Sequence, residues 1–526
     1  MIKIVPQVKS IKENDLQINF DEISLQGDLS EFAKKDLQSF ITDKTEYNCS
    51  NKGYIIEFKI LSDDHCKEWY SIDAQVNGMT VCACTEEGIF RAVTTLKQIL
   101  SQPLCGFTLE DEPKNSFRGF MLDVGRYFYS VADVKTIIDY AALYKFNYFH
   151  WHLTEDQGWR FESHKYPKLT EIGSHRSHTN FGIKKEGGFY TKNELKEIVQ
   201  YCHERFIKVV PEIDMPGHTM SALACYPELS CFDRKLKVST HWGVKFDIMC
   251  AGKNFTYTFC KDILDELCEI FTDEYIHIGG DEAPKKRWEL CENCNRKLKE
   301  LGLDNMEQLQ LYFANYLADY LSAKGKQTIV WYNKFDENDK IVPNKEIVLQ
   351  FWGTKKDVEF ANVVKSGRRV ITSNSSGYYI DLPYGYITLD DSYNTQGVTG
   401  IEDTKTIFGY ETCLWTEYVK NVKKAKFNMF PRLFAISEVF WSGEKNKDYE
   451  RFLKKLEFQK QFIRKFDVKV PGKSIYNPNQ VRKFLSKLWF EKRQLVWQGL
   501  YLTIDNYLVK SKVKRSKKKK ILRRGK

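Results

Sequence analysis

The chain has 526 residues, of which 42% are hydrophobic, and this combination excludes a disordered protein and indicates two or three folded domains. No apolar run approaches the roughly 20 residues that a membrane-spanning helix needs, so we expect no membrane span. The net charge of +10 is concentrated in 11 Lys and Arg residues between Lys510 and Lys526, and the remainder of the chain is close to neutral. The charge distribution therefore does not indicate a folded domain that binds nucleic acid specifically.

The start of the chain, Met1-Ile2-Lys3-Ile4-Val5-Pro6, has neither the apolar stretch nor the small-residue cleavage site of a secretory signal. Fourteen cysteines in a large chain without such a signal fit reduced thiols better than a disulfide framework. We therefore predict a cytoplasmic protein.

Residues 1–113 predict a small α+β domain. The pair Asn77-Gly78 is typical of a β-hairpin with a two-residue turn. Apolar residues then recur at helical spacing from Ile89 to Ile99, which indicates an amphipathic helix. Asp111-Glu112-Pro113-Lys114 indicates a turn or linker into the next domain.

Residues 114–445 alternate apolar strands with amphipathic stretches, which predicts a (β/α)₈ barrel. Val134–Tyr144 and Glu194–Arg205 are two of the predicted helices. An open doubly wound sheet is the main alternative, but no Gly-rich dinucleotide or phosphate loop follows any of the strands. The eight predicted strands are Arg118–Val124, Tyr148–Leu153, Val209–Ile213, Tyr275–Gly279, Thr328–Tyr332, Val348–Trp352, Val370–Ser373 and Ile407–Trp415.

Residues 446–526 predict a helical extension. The basic end after Leu508 predicts a disordered tail, because like charges repel and little apolar surface is available to bury. It lacks the interleaved aromatic residues that stack on bases, so any binding to polyanions would be nonspecific. An apolar stripe at helical spacing is expected to dock on the barrel, and it consists of Val481, Phe484, Leu485, Leu488 and Trp489.

The ends of the predicted strands carry most of the chemistry, as they do in enzymes built on such barrels. Each residue has an ordinary explanation, since acids cap helices, buried Trp is usually core, and a lone His usually satisfies hydrogen bonds. Their coincidence at one face of the barrel predicts an active site. These residues include Arg126, Glu155, Asp156, His218, Asp281, Glu282, Trp331, Trp352, Tyr379, Asp381, Trp415 and Glu417.

Four of these segments resemble the first four barrel strands of glycoside hydrolase family 20. The likeness extends from the N-terminal domain through Trp441, and motifs of this length are far more specific than a bare Asp-Glu pair. The segments are RGFMLDVGR (118–126), NYFHWHLTEDQGWR (147–160), PEIDMPGH (211–218) and HIGGDE (277–282).

The resemblance implies a retaining exo-β-N-acetylhexosaminidase that releases terminal GlcNAc or GalNAc by substrate-assisted catalysis, and it implies no cofactor. The 2-acetamido oxygen would attack the anomeric carbon and form an oxazolinium ion. Glu282 would protonate the leaving oxygen and then activate water. Asp281 would orient the acetamide N–H and stabilise the positive charge that develops.

The resemblance also implies how the sugar is held. Tyr379 would donate its hydroxyl to the acetamide oxygen, and Trp331, Trp352 and Trp415 would form the walls of the acetamide pocket. The sugar hydroxyls would bind Arg126, Asp381 and Glu417. Glu155 and His218 would support the general acid Glu282 from the side away from the sugar, and Asp156 could exchange roles with Glu155.

The sequence departs from the family pattern at two positions. Glu155 stands where the family often has Asp, so that side chain is longer by one methylene. Tyr332-Asn333 follow the strand-5 tryptophan, where an acid is common. The second departure bears on the leaving-group subsite and not on hydrolysis.

Three other interpretations stay open. A disaccharide-releasing enzyme such as a lacto-N-biosidase would need a roomier pocket. A catalytically silent sugar-binding protein would not require Asp281, Glu282 and Tyr379 together. A polyanion-binding protein would use the basic tail, with the barrel incidental. The sequence leaves open the preference between GlcNAc and GalNAc, the natural glycan and the oligomeric state.

Cys291-Glu292-Asn293-Cys294 has the spacing of half a zinc site. A structural zinc needs four ligands, and no second cysteine pair at zinc-ribbon spacing follows along the chain. We therefore predict no metal.

Overall fold

The computed structural model describes residues 2–180, 182–354, 360–398, 401 and 407–491. It contains a seven-stranded sheet with two helices, a closed barrel of eight parallel strands, and C-terminal helices, so the predicted fold is confirmed. None of its helices is long and apolar enough to cross a membrane. The basic run from Lys510 to Lys526 lies outside the described residues, and the cytoplasmic location stays a prediction.

The N-terminal domain is a mixed sheet with the strand order β1-β7-β5-β6-β4-β2-β3. Two helices bury their apolar faces against this sheet. The elements are β1 (Ser10–Ile18), β2 (Glu22–Gly27), α1 (Glu31–Lys44), β3 (Asn48–Cys49), β4 (Tyr54–Ile60), β5 (Tyr70–Gln75), β6 (Gly78–Ala83), α2 (Glu86–Ile99) and β7 (Leu104–Asp111).

The predicted hairpin joins β5 to β6, but its turn is displaced by one residue. Gln75 pairs with Gly78, so the two turn residues are Val76 and Asn77. Gly78 has no left-handed backbone conformation and instead begins the second strand. The predicted helix is α2, and the hydroxyl of Thr85 caps it by accepting from the Gly88 amide at 3.1 Å.

The barrel strands all lie within two residues of the bounds predicted for them. They pair in chain order, and the last strand closes on the first. The strands are β8 (Phe117–Asp123), β9 (Tyr148–His152), β14 (Lys208–Glu212), β15 (Tyr275–His277), β16 (Gln327–Trp331), β17 (Val348–Phe351), β18 (Val370–Thr372) and β19 (Gly409–Leu414).

Helices and short strand pairs fill the connections between the barrel strands. Both predicted helices are present as α3 and α5, and each begins with a reciprocal capping box, at Ser130 and Thr191. The connecting elements are α3 (Val131–Leu143), β10 (Thr154–Glu155), β11 (Gly158–Trp159), α4 (Lys168–Glu171), β12 (His175–Arg176), β13 (Glu186–Gly187), α5 (Lys192–His203), α6 (Met220–Cys225), α7 (Asn254–Ile270), α8 (Lys286–Leu290), α9 (Glu292–Glu300), α10 (Met306–Ser322), α11 (Phe360–Lys365), α12 (Leu389–Asn394) and α13 (Val422–Met429).

The barrel interior changes from apolar to polar along its axis. Seven side chains close the end at which the strands begin: Phe117, Tyr148, Val210, Tyr275, Ile329, Val348 and Ile371. Above them lie buried histidines and acids. Gly119 makes room for one of these acids, because a Cβ at this position would lie 2.6 Å from Oε2 of Glu411. The polar half of the interior therefore supports the end at which the strands finish.

After the barrel the chain continues as α14 (Arg432–Ser442), α15 (Tyr449–Arg464), α16 (Lys473–Tyr476) and a helix over residues 480–491. The expectation that the apolar stripe of the last helix docks on the barrel is wrong, because its five side chains are 38–67% exposed. Phe490 packs instead against Tyr386 and Tyr418, with ring centroids 5.6 and 5.1 Å away. Gly385 permits this packing, since a Cβ there would lie 2.2 Å from Cβ of Ser486.

Candidate active site

The loop after β15 carries two adjacent acids into the open end of the barrel. Gly279 precedes them with a φ of +69°, and a Cβ on it would lie 1.8 Å from Oδ1 of Asp214. That same oxygen accepts the Gly280 amide at 3.0 Å. Only glycine fits this close approach, and the turn directs Asp281 and Glu282 toward the barrel axis.

Asn333, the second departure from the family pattern, holds the same loop from its other side. Its Nδ2 donates to the Gly280 carbonyl at 2.7 Å, and Gln310 Nε2 donates to the same oxygen at 2.5 Å. The carbonyl of the peptide before Asp281 thus accepts two side-chain hydrogen bonds. The structure gives Asn333 a positioning contact at the point where an acid is common in the family.

His218 lies at the centre of a cluster of carboxylates. Its Nδ1 is 3.1 Å from Oε1 of Glu155, and its Nε2 is 3.7 Å from Oδ2 of Asp281 and 3.6 Å from Oε2 of Glu282. Asp156 is farther away, with its Oδ2 3.9 Å from Nδ1. Glu155 is therefore the main support of the imidazole, and the geometry does not favour the exchange of roles with Asp156.

Charge coupling in this cluster shifts the pKa of each member. Burial opposes a charged imidazole, yet Glu155 and Asp281 raise the pKa of His218 well above its usual value. Burial would raise the pKa of Glu155, but Arg126 and His218 hold it well below the usual range. Burial raises the pKa of Asp281 to about 6, against the influence of His218. The His218 imidazolium thus interacts with several carboxyl groups whose pKa values differ.

Glu282 differs from its neighbour because its side chain is 42% exposed. Burial acts to raise its pKa, but the nearby His218 imidazole lowers it. Glu282 and His218 have φ values of 45° and 52°, which non-glycine residues seldom adopt. Two strained residues in contact at the mouth of a barrel are typical of a functional site.

Arg126 is held by three carboxylates. Its Nη1 donates to Asp123 at 3.1 Å, its Nη2 lies 2.6 Å from Glu155, and its Nε lies 3.3 Å from Glu417. The guanidinium also lies over the ring of Trp415, 4.9 Å from the centroid. Each terminal nitrogen carries a second hydrogen, so the fork is fixed in position and can still donate to a ligand.

Aromatic side chains form the opposite side of the site. Trp331 donates its indole N–H to Oε1 of Glu212 at 2.7 Å, and Trp352 donates to the Tyr332 carbonyl at 2.9 Å. The predicted pocket residues pack together around Met121 and Cys413, and they are Trp331, Trp352, Tyr379 and Trp415. Burial raises the pKa of Tyr379 well above its usual value, so its hydroxyl stays protonated.

Asp381 lies in the same wall. It is 6% exposed, and burial together with Glu417 raises its pKa well above the usual range. Its Oδ1, like Oδ1 of Asp281, is buried and accepts no hydrogen bond from the residues that the structure describes. Burial also raises the pKa of Glu417. Two buried acceptors are therefore available to a ligand.

A buried ionic network below these side chains is absent from the sequence prediction. Glu212 lies 2.9 Å from His150 Nε2 and 3.1 Å from His277 Nδ1, and it also contacts His152 Nδ1. Glu411 lies 2.9 Å from His150 on its other side. Inward residues alternate along barrel strands, and this periodicity is the signal that would have found these side chains.

The charged side of the site encloses a cavity of about 270 Å³. Most of the predicted charged residues contribute to its lining. Trp242, Gly243 and Tyr418 also line the cavity and were not predicted. Trp242 comes from the long loop between β14 and α7, where no strand end marked it. The lining residues include Arg126, Glu155, His218, Glu282 and Glu417.

The sequence argument against further cysteine ligands is wrong. Cys231 and Cys250 precede the Cys291–Cys294 pair along the chain, and all four sulfur atoms lie within 4.8 Å of one another. The two additional cysteines precede the pair along the chain, whereas the prediction considered only cysteines that follow it.

A barrel that gathers acids, an arginine and several tryptophans at the carboxyl ends of its strands has the arrangement of a glycosidase. The chain belongs to glycosyl hydrolase family 20. The model of the family's catalytic domain matches residues 115–444, and the model of its domain 2 matches residues 1–111.

Relatives and solved structures agree with this membership. A beta-hexosaminidase of Porphyromonas gingivalis is 36% identical over 417 residues, which cover 74% of this chain and 53% of the relative. A beta-hexosaminidase of Akkermansia muciniphila is 33% identical over 418 residues, which cover 75% and 84%. The chain thus spans about half the length of the first relative and most of the second.

Two crystal structures have the same architecture. The beta-N-acetylhexosaminidase of Bacteroides fragilis superposes with a TM-score of 0.77 at 30% identity, over 89% of this chain and 96% of that one. The exo-beta-N-acetylglucosaminidase of Vibrio harveyi, solved with N-acetylglucosamine, gives 0.79 at 26% identity, over 89% and 78%.

Proposed function

We propose that this chain is a retaining exo-β-N-acetylhexosaminidase, which removes terminal GlcNAc or GalNAc from glycans with the help of the substrate's own acetamide. The observation that carries the proposal is the contact of one imidazole, His218, with both Asp281 and Glu282, at 3.7 and 3.6 Å. These adjacent acids face a pocket of indole rings. Most retaining glycosidases use a nucleophilic carboxylate, whereas this family uses the substrate.

Glu282 is the general acid and then the general base. Its exposed carboxyl can reach a leaving oxygen at the mouth of the cavity, and water can reach it in the second step. His218 lowers its pKa in the free protein. A bound sugar displaces the water around this carboxyl, so substrate binding raises the pKa and favours the protonated form that the first step needs.

Asp281 controls the nucleophile. Its buried Oδ1 is available to accept the acetamide N–H, which turns the acetamide oxygen toward the anomeric carbon. Ring closure forms the bond from that oxygen to carbon and breaks the glycosidic bond, and Glu282 delivers its proton to the departing oxygen. The resulting oxazolinium carries a positive charge, which the negative Asp281 stabilises at close range.

The tryptophans and Tyr379 give the acetamide a single orientation. Trp331 is fixed by Glu212 and Trp352 by a backbone carbonyl, so neither indole can turn away. The protonated Tyr379 hydroxyl donates to the acetamide oxygen. The indole walls exclude water, which would otherwise compete with the nucleophile.

One arginine and two carboxyl groups bind the sugar hydroxyls. Arg126 offers the remaining hydrogens of its fixed fork, and Asp381 and Glu417 accept from hydroxyls.

A panel of chromogenic β-glycosides tests the proposal. We expect hydrolysis of the β-GlcNAc and β-GalNAc substrates, little hydrolysis of the β-glucoside, and strong inhibition by a thiazoline analogue of GlcNAc, because mimics of high-energy species bind far more tightly than substrates. Equal cleavage of the glucoside would rule out substrate assistance. Cleavage of a lacto-N-bioside alone would establish a disaccharide-releasing enzyme, and binding without hydrolysis would establish a silent sugar-binding protein.

A further inference from the structure

Four buried cysteines converge outside the sugar site, on the loops that follow β14 and β15. Cys231 and Cys250 lie at the two ends of one loop, and an isolated β-bridge between Ser230 and Met249 brings those ends together. Cys291 and Cys294 are at the start of α9. All four side chains are buried, and their sulfur atoms lie within 4.8 Å of one another.

The distances between the sulfur atoms match a tetrahedral metal site. Cys250 Sγ lies 3.5 Å from Cys294 Sγ and 3.7 Å from Cys291 Sγ, and Cys231 Sγ lies 3.9 Å from Cys294 Sγ. Four Zn–S bonds of about 2.3 Å at tetrahedral angles separate each pair of sulfurs by about 3.8 Å. A disulfide would require about 2.05 Å.

The backbone around the sulfurs is arranged as a metal site needs. A Cβ on Gly252 would lie 2.2 Å from the Asn293 carbonyl carbon and 2.3 Å from the Cys294 nitrogen, so the two cysteine segments are in direct backbone contact. Cys291 Sγ also lies 3.8 Å from the Cys231 carbonyl oxygen, which belongs to the other cysteine segment.

We propose that Cys231, Cys250, Cys291 and Cys294 bind one Zn²⁺ as a closed, structural site. Each thiol gives up its proton to solvent when its sulfur bonds to the metal, and no electron is transferred. Four protein ligands leave no position for water or substrate, so the ion takes no part in hydrolysis. This inference stands apart from the proposed glycosidase function.

The metal joins the two loops that build the active site. The first loop carries His218 and Trp242, and the second follows directly on Asp281 and Glu282. Asp247 forms a second link between the same loops, because it contacts Arg234 in its own loop and Arg287 in α8 at 3.4 Å. The zinc site thereby fixes the wall of the cavity relative to the two acids.

The experiment measures metal in the full-length protein, expressed with zinc in the medium and purified without chelator. We expect one zinc per chain by elemental analysis and 14 reactive thiols in the unfolded, chelated protein. After exchange for Co²⁺, the visible absorption of tetrahedral thiolate cobalt is expected. A folded, active protein without zinc that also yields no such spectrum overturns the proposal, as does a thiol count below 14, which would indicate disulfides.

Paired variants locate the metal. We expect Cys294→Ala to lose the zinc and the cobalt spectrum, whereas Cys202→Ala, at a buried cysteine in α5, keeps both. Equal zinc in the two variants overturns the assignment. If Cys294→Ala does not fold, chelation of the wild-type protein replaces it: loss of zinc must lower Tm, and added zinc must restore it. An unchanged Tm after complete removal overturns the structural role.

Discussion

The two sides of the sugar site are held in place by different forces. On the aromatic side, Trp331 and Trp352 each have one polar anchor, and packing supplies the remainder. On the charged side, single groups contact several partners, and Glu155 contacts Arg126, His218 and His152. Trp415 joins the two sides, since Arg126 lies over its ring.

This difference determines how each side of the site responds to a substitution. Packing is local, so a substitution on the aromatic side is expected to change one contact with the acetamide. Charges in a buried cluster share protons, so a substitution on the charged side changes the protonation of its neighbours as well.

The largest effect is expected from Glu282→Gln, which tests the charged side directly. The amide cannot donate the proton, and loss of general acid–base catalysis costs roughly 10²- to 10⁴-fold in kcat. A substrate with a very good leaving group is partly spared in the first step. The control is Glu197→Gln, at an exposed glutamate of α5. Wild-type turnover of ordinary glycosides by Glu282→Gln would remove this residue from the mechanism.

The pH dependence of kcat tests the coupling within the charged cluster. At saturating substrate, binding has raised the pKa of Glu282, so loss of activity at low pH reports Asp281. Asp281 is active as a carboxylate, and its pKa is raised to about 6, mainly by burial. Activity is therefore present above pH 6 and lost as the pH falls through it, by about tenfold per pH unit. Circular dichroism at each pH distinguishes this loss from acid unfolding. An undiminished kcat down to pH 4.5 in folded protein would contradict the assignment.

On the aromatic side, Tyr379→Phe removes one hydroxyl and leaves the ring in place. We expect kcat/KM and thiazoline affinity to fall together by about 10- to 150-fold, the value of one hydrogen bond to a charged group. Tyr378→Phe is a matched control, because the neighbouring hydroxyl donates to Thr395 at 3.0 Å, away from the pocket. It should lower stability by about 1 kcal/mol without changing kcat/KM. Equal losses in both variants would show a structural effect only.

The sequence predicted the barrel because apolar strands alternate with helical stretches, and it predicted site residues that stand at strand ends. His150 and Glu212 stand in the segments 147–160 and 211–218, but the ionic network that they form was not predicted, because contacts across the barrel interior depend on which side chains point inward. Trp242 and Cys231 were missed for another reason. They reach their partners across long loops, whose course depends on tertiary contacts that spacing along the chain does not encode.

The smallest effect is expected at Glu155, where this chain has one methylene more than the common aspartate. Glu155→Asp keeps the charge, but the shorter side chain cannot keep both the 2.6 Å contact with Arg126 and the 3.1 Å contact with His218. We expect a loss of about tenfold or less in kcat/KM, with the pH profile unchanged. Glu155→Gln removes the charge that, after the opposing effect of burial, does most to raise the pKa of His218. That imidazolium then loses its proton at lower pH. Neutral His218 places no positive charge beside Asp281 and Glu282, so the fall in activity on the alkaline side should begin closer to neutral pH in Glu155→Gln alone. A shift of equal size in both variants would mean that length matters at this position and charge does not, and the coupling that distinguishes the charged side from the aromatic side would be refuted.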